Sequence, residues 1–320
     1  MTLRIGILGA SRIAENAIVG PAQELGCRLV AMAARDPLRA RVFADKYGVE
    51  RVLASYQDVI GDPEVDVVYN PLANSLHAPW NLAAVAAGKP ILTEKPYARD
   101  RAEATRVAAA AEAAGVTVME GFHYLFHPAM RRVLELAGDG TLGELRRVEV
   151  EMGMPEPQPD DPRWSLDMAG GALMDLGCYA LHIMRRFGSP RVVSATAVQR
   201  TPGVDERFAA ELVYPSGATG LTTNSMVEQE YSFTLRVIGT RAEVFVPNFI
   251  NPPADDGLTI TTGDTATVEH VGKRPSYSYQ LEAFAAHVER GAALPLDSAD
   301  AVANMALIDE AYRAAGMQPR

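Results

Sequence analysis

Leu3-Arg4-Ile5-Gly6-Ile7-Leu8-Gly9-Ala10-Ser11-Arg12-Ile13-Ala14 is the stretch whose reading decides the fold. Residues 3–8 make a short apolar run, as a buried strand requires. An apolar helical pattern follows over residues 13–25. Set against G-x-G-x-x-G, the key positions are Gly9, Ser11 and Ala14. Gly9 frees the tight turn. Ser11 is small enough for a phosphate to approach and has a hydroxyl to donate. Ala14 meets the Gly/Ala position where helix and strand pack closely. A Gly-Ala-Ser turn alone would be only a turn; the strand–turn–helix setting makes it a nucleotide signature. A pyrophosphate would then rest on the helix N-terminus, so Gly9, Ser11, Arg12 and Ile13 are the expected contacts.

The next strand is expected over residues 28–34, and its end identifies the cofactor. An NAD site places an Asp or Glu there for the ribose 2′-hydroxyl. Here the chain reads Ala33-Ala34-Arg35. A guanidinium in that place suits a 2′-phosphate and can stack on adenine, so NADP is expected in preference to NAD. Arg39 is a second candidate for the phosphate. Asp36, followed by Pro37, is more simply the N-cap of the next helix.

Further strands are expected at 51–54, 65–70, 90–93 and 117–120. Helices are expected at 56–60, 76–87 and 101–114, the last two closed by Gly88 and Gly115. This β-α alternation predicts a doubly wound parallel sheet, a Rossmann domain over residues 1–121. The remainder, 122–320, reads differently. A helix at 128–137 and a strand at 145–154 precede a loop with four prolines at 155–162. The strand-rich stretch 191–271, with short turns at 215–217 and 239–240, predicts a mostly antiparallel sheet. Helices at 279–290 and 299–315 close the chain and are expected to pack back on the first domain. A chain of 320 residues suits two cores better than one.

The formal charge is −10, and no run of Lys/Arg exceeds two residues. Nucleic acid and acidic membrane are therefore not expected as partners. Cys27 and Cys178 are the only cysteines, which fits a reducing cytosol and gives no metal-ligand spacing. No metal is expected. The N-terminal apolar run is too short for a signal peptide, and a cytoplasmic location is expected.

Two clusters carry the chemistry. In Gly170-Gly171-Ala172-Leu173-Met174-Asp175-Leu176-Gly177-Cys178-Tyr179-Ala180-Leu181-His182, the carboxylate, phenol and imidazole are four and three residues apart. A helix would set them on one face as a proton-exchanging row. Glu94-Lys95-Pro96 ends an expected strand, where open α/β sheets bind their ligands. A Lys there can lower the pKa of a neighbouring acid; alone, the tripeptide reads more simply as a surface ion pair.

Together these segments resemble the glucose–fructose oxidoreductase, inositol dehydrogenase and MocA-like (Gfo/Idh/MocA) family. The resemblance rests on residues 6–14, Pro71-Leu72-Ala73-Asn74-Ser75-Leu76-His77, Gly88-Lys89-Pro90 leading to Glu94-Lys95-Pro96, residues 120–128 and residues 170–182, in family order. It implies a Rossmann domain and an α/β domain with a large open sheet, often used for oligomer contacts. It implies a nicotinamide cofactor, with the nicotinamide between the domains. By resemblance, the Glu94-Lys95-Pro96 turn is catalytic and cofactor-binding, often with a cis Pro96. Pro71, Leu72, Asn74 and His77 would lie by the cofactor, the last two at its nicotinamide half. Asp175 matches the family's active-site Asp. Tyr179 falls where inositol dehydrogenases carry His, and aligns with the glucose–fructose oxidoreductase and dihydrodiol dehydrogenase-like members.

The expected reaction is reversible hydride transfer between nicotinamide C4 and a carbinol or carbonyl carbon of a sugar, sugar derivative or polyol. Lys95, Tyr179 and Asp175 are the expected catalytic set, with Tyr179 the acid/base assisted by Lys95; Asp175 and His182 would hold sugar hydroxyls, and His123 and Trp164 would also contact substrate. His127, before Pro128, reads as structural. Competing expectations are an NAD-dependent glycoside hydrolase of the same family and a non-catalytic NADP-binding regulator. A homodimer or homotetramer through the C-terminal sheet is the expected assembly.

Overall fold

The opening run becomes β1 (Arg4–Leu8) in a computed structural model that describes residues 3–320. With β2 (Arg28–Ala33), β3 (Val67–Asn70), β4 (Ile91–Thr93) and β5 (Val118–Glu120) it makes an all-parallel sheet of order β2-β1-β3-β4-β5. The strands are mostly apolar because both faces are covered: Ile5, Ile7, Val30, Val68 and Ile91 are all buried. The helices are α1 (Gly20–Leu25), α2 (Pro37–Tyr47), α3 (Tyr56–Gly61), α4 (His77–Ala86) and α5 (Arg101–Ala114). Asp36 caps α2 as expected, accepting from the N–H groups of Leu38 and Arg39. The strand order reverses between β1 and β3, which opens the ligand crevice at their carboxyl ends.

Two local expectations are corrected. Residues 51–54 give no full strand, only a single parallel bridge from Val52 to Met32. The helix after the glycine turn is not uniform; it begins as a π-helical turn, Glu15–Val19, and tightens into α1.

In the second part, α6 (Pro128–Gly138) and β6 (Leu145–Pro155) precede the proline loop. A π-helical turn, Leu173–Gly177, then runs into α7 (Cys178–Met184). Strands β7 (Arg191–Thr201), β8 (Val204–Val213), β9 (Thr219–Glu228), β10 (Ser232–Gly239), β11 (Glu243–Val246), β12 (Gly257–Thr262) and β13 (Thr265–His270) complete a sheet of order β13-β12-β11-β10-β6-β9-β8-β7. Its pairs are antiparallel except β6–β9, which is parallel. The long excursion through the proline loop, α7 and the β7–β8 hairpin is the crossover that a parallel pair needs.

Helices α8 (Ser276–Arg290) and α9 (Ser298–Ala314) end the chain. Residues up to Phe122 together with Tyr277–Val302 form one compact unit; His123–Ser276 with Ala303–Arg320 form the other. In the second sheet Val148, Val150, Met152, Phe208, Leu212 and Leu235 alternate inward and are buried. The opposite face carries a register row, Thr196–Ala209–Thr223–Glu151–Thr234. Among the described residues no helix is long and apolar enough to cross a membrane.

Candidate active site

Within the first unit the site grows from the glycine turn. Gly9 has φ +95°, a conformation that strains any L side chain, and a Cβ there would also push Leu72 Cδ2, 2.9 Å away, aside. Its N–H donates to Ala33 O at 2.7 Å, tying the turn to the end of β2. Ser11 and Ile13 are half-buried there, and Arg12 is exposed. Arg35 is exposed just past β2. The nearby carboxylate, Asp36, is committed to capping α2. Arg39 Nη2 donates to Ala10 O at 3.1 Å, which brings a second guanidinium to the same turn. A cradle that favours glycine, flanked by two cations, fits a dinucleotide bearing a 2′-phosphate.

The Lys95 turn lies at the carboxyl end of β4 and is braced from its neighbours. Glu94 N–H donates to Asn70 O at 2.9 Å, and Tyr69 Oη donates to Glu94 Oε1 at 2.9 Å. Tyr97 N–H donates to Glu120 Oε1 at 2.7 Å. Burial first, and the Glu94 charge second, push the Tyr69 phenol well above its usual range, so it stays a donor. The Lys95–Pro96 peptide is cis, and Lys95 itself is half-buried.

His77, at the start of α4, is fully buried. Its Nδ1 lies 2.6 Å from Pro96 O and its Nε2 2.9 Å from Leu72 O. Burial pushes its pKa down to about 4, with the Lys95 charge acting the same way. A neutral ring donates to one carbonyl only, yet it still pins the 71–77 loop to the turn after Lys95. Pro71 is buried in that loop; Leu72 and Asn74 are half-buried.

Within the second unit the chemistry gathers around Leu173–Gly177 and α7. Their entry is a pair of glycines with no room to spare. A Cβ on Gly170 would lie 2.3 Å from Arg163 O; on Gly171, whose φ is +121°, it would lie 2.2 Å from Asp205 Oδ1. Asp205 Oδ2 accepts from Leu173 N–H at 2.7 Å, while Oδ1 accepts from Tyr312 Oη and from Arg320. The Arg320–Asp205 pair is buried, and Arg320 Nε also donates to Gly170 O at 2.9 Å. Burial raises the Asp205 pKa, and Arg320 opposes the rise. A buried ion pair thus underlies the first turn of the segment that carries the polar row.

The row is only partly a row. Its first turn is π-helical, so Asp175 is not a simple α-helical neighbour of Tyr179. Asp175 instead accepts from Arg163 Nε at 2.7 Å, and Arg163 Nη1 also reaches Asp161 at 3.2 Å. Tyr179 and His182 share a face, with the Tyr124 ring 5.9 Å from one and 5.7 Å from the other. Tyr179 Oη lies 3.2 Å from His123 Nε2, and His123 Nδ1 lies 2.7 Å from Ser276 Oγ.

His182 is engaged on both ring nitrogens, by Tyr124 Oη at 2.6 Å and Arg186 Nη2 at 2.7 Å. A guanidinium only donates, so His182 Nε2 must accept and the ring proton sits on Nδ1. The expected substrate contact would require one of these bonds to open. Trp164 donates its indole N–H to Pro157 O at 3.3 Å, and Arg200 lies over its ring at 4.3 Å; it anchors the proline loop. His127 Nδ1 accepts from Ala129 N–H and caps α6.

Sequence reasoning missed Tyr69, Glu120, Arg163, Ser276 and Arg186 as members of these clusters. Glu120 fell inside a recognised segment without a role. Arg186 stands four residues after His182, a helical spacing visible in the sequence; no local pattern marks the partners of Tyr69, Arg163 and Ser276.

A model of the oxidoreductase family with an NAD-binding Rossmann fold (GFO_IDH_MocA) matches residues 3–122, and one of the GFO/IDH/MocA C-terminal domain matches residues 130–245. D-xylose 1-dehydrogenase (NADP(+)) 2 of Haloferax volcanii is 36% identical over 317 residues, covering 98% of this chain and 97% of that protein. Trans-1,2-dihydrobenzene-1,2-diol dehydrogenase of Mus musculus is 35% identical over 247 residues, covering 75% and 73%. The crystal structure of KijD10, a 3-ketoreductase from Actinomadura kijaniata in complex with NADP and TDP-benzene, superposes with a TM-score of 0.88 at 28% identity, covering 97% and 96%.

Proposed function

The chain belongs to the Gfo/Idh/MocA family of NAD(P)-dependent oxidoreductases, and on that premise we propose that it is an NADP(H)-dependent dehydrogenase or ketoreductase of a sugar, sugar derivative or polyol. The observation that carries the reading is Tyr179, a phenol on the segment after the two glycines, hydrogen-bonded to an imidazole. The relatives named above, a D-xylose 1-dehydrogenase (NADP(+)) and a 3-ketoreductase in complex with NADP and TDP-benzene, support the same choice of cofactor and substrate class.

Bound nicotinamide would supply the hydride acceptor or donor at C4. The rest falls to the chain. Gly9, Ser11, Arg12 and Ile13 receive the pyrophosphate, and Arg35 with Arg39 receives the 2′-phosphate. Pro71, Leu72 and Glu94 contact the cofactor, and Asn74 and His77 lie by its nicotinamide half. Tyr179 takes the hydroxyl proton in oxidation and returns it in reduction. An unperturbed phenol titrates near ~10, so its turnover at neutral pH calls for a cation to favour the phenolate, the part this reading gives to Lys95. Asp175, bonded by Arg163, accepts hydrogen bonds from substrate hydroxyls. Trp164 walls the substrate, and His182 orients Tyr124. The row Thr196–Ala209–Thr223–Glu151–Thr234 would face a second copy of the chain in a homodimer or homotetramer.

The test is a panel of aldoses, ketoses and polyols with NADP(H) and NAD(H), read at 340 nm. Net absorbance change with a sugar and a preference for NADP is expected. Sugar release from a glycoside without net change would replace the reading with hydrolysis. Nucleotide binding without turnover on any substrate would replace it with a regulatory role.

A further inference from the structure

We propose that His123 is a proton-relay residue, acting through Tyr179 and passing the phenol's proton toward Ser276. The inference rests on the reading of Tyr179 as the acid/base. The geometry is a three-member chain: Tyr179 Oη to His123 Nε2 at 3.2 Å, and His123 Nδ1 to Ser276 Oγ at 2.7 Å. All three are buried, and the His123 and Tyr179 rings meet edge-on at 5.8 Å between centroids.

The histidines of this cluster differ in what they can do. His182 is locked, because Arg186 can only donate to its Nε2. His127 is locked, because its Nδ1 accepts from a backbone N–H. His123 is flanked by two hydroxyls, each able to donate or to accept. Its ring therefore keeps a hydrogen bond on both sides whether it is neutral or protonated. That is the requirement for a relay and not for a strut.

In the oxidative direction the atoms balance as follows. The substrate carbon loses its hydride to the cofactor, and the C–O bond becomes a carbonyl. The substrate hydroxyl proton moves to the Tyr179 oxygen while the phenol's own proton moves to His123 Nε2. His123 becomes an imidazolium, its Nδ1–H donating to Ser276 Oγ and its Nε2–H to the phenol oxygen. Reduction runs the same transfers backward. The groups facing His123 in these contacts are Tyr179 and Ser276; Tyr124 packs against the Tyr179 ring, with His182 and Arg186 beyond it. The Nε2–H form also stabilises the phenolate.

The test compares His123→Gln and His123→Ala with the parent enzyme and with Tyr179→Phe. Glutamine can bond both hydroxyls but cannot carry a proton through. With a relay, His123→Gln lowers kcat by about a hundredfold, the lower end of acid–base contributions. KM, NADPH affinity and the melting midpoint stay near the parent values. Added imidazole restores part of the kcat of His123→Ala. Full kcat in His123→Gln overturns the relay, since it would show that the two hydrogen bonds suffice. Loss of kcat in Tyr179→Phe alongside parent-like histidine variants overturns the relay and leaves the acid/base reading intact. Full activity in Tyr179→Phe overturns both. Should His123→Ala fail to fold, His123→Gln still decides.

Discussion

Arg163 Nε donates to Asp175 Oδ2 at 2.7 Å, so the carboxylate of the polar row is bonded to a loop arginine twelve residues earlier. Asp175 is nearly buried, and Arg163 is part-exposed. The Asp175 charge is the largest influence holding the guanidinium protonated, with the Asp161 charge adding to it. The pair fixes the anion where substrate hydroxyls are proposed to bind.

Replacing Arg163 with Met therefore removes the bond that orients Asp175. A charge-assisted hydrogen bond is worth about 1.5–3 kcal/mol, or roughly 10- to 150-fold. We expect kcat/KM for the sugar to fall by that order, mostly through KM, with NADPH affinity unchanged in a fluorescence titration. Arg163→Lys should recover little, because an ammonium cannot span Asp175 and Asp161 as the planar fork does.

The glycine pair gives a stability prediction. Gly171→Ala forces a Cβ onto Asp205 Oδ1 at a positive φ, and unfolding in urea should show a loss of about 2–4 kcal/mol. Arg320→Met leaves the buried Asp205 carboxylate without its cation, and a loss of about 3–5 kcal/mol is expected. The two substitutions strike the same carboxylate, so the double variant should cost less than the sum.

Cofactor choice follows from the end of β2. Arg35→Asp should invert the preference, lowering kcat/KM with NADP by about 100-fold while that with NAD rises or holds. Arg39→Ala should weaken NADP by a smaller factor, since its guanidinium is partly spent on Ala10 O. Steady-state rates with both cofactors at one fixed sugar concentration check this.

His77 sets a pH dependence. Its folded pKa, about 4, lies below the ordinary 6.5. The unfolded chain therefore binds the proton more readily between those values. The stability tied to the neutral ring is fully present above pH 6.5 and is lost as pH falls toward 4. The size is about 3 kcal/mol at most, from ~1.4 kcal/mol per pKa unit. His77→Gln should flatten the slope of unfolding free energy against pH in that window.

Much of the architecture was legible because it depends on local pattern. Residues 3–14 carry the strand, turn and helix start in twelve positions, and Asp36-Pro37 and Gly115 mark helix ends by chemistry the structure repeats. The switch from alternating β-α pattern to successive strands predicted a parallel sheet and a mostly antiparallel one, and both are present. The parallel β6–β9 pair was not legible, since pairing direction across a long crossover leaves no local mark. Nor were the π-helical turns, because their onset depends on packing rather than on residue type. The clusters divide in the same way. Lys95 and Tyr179 announce themselves by motif, whereas Arg163, Ser276 and Arg320 acquire their partners only through tertiary contact.

The central claim is that the Tyr179 phenol moves the substrate proton. It is tested most directly by Tyr179→Phe, assayed for NADPH binding by fluorescence and for sugar turnover at 340 nm in the same preparation. The account predicts unchanged NADPH affinity with kcat reduced by about 10²–10⁴-fold. Turnover within a factor of two of the parent enzyme, with the nucleotide still bound, would contradict it.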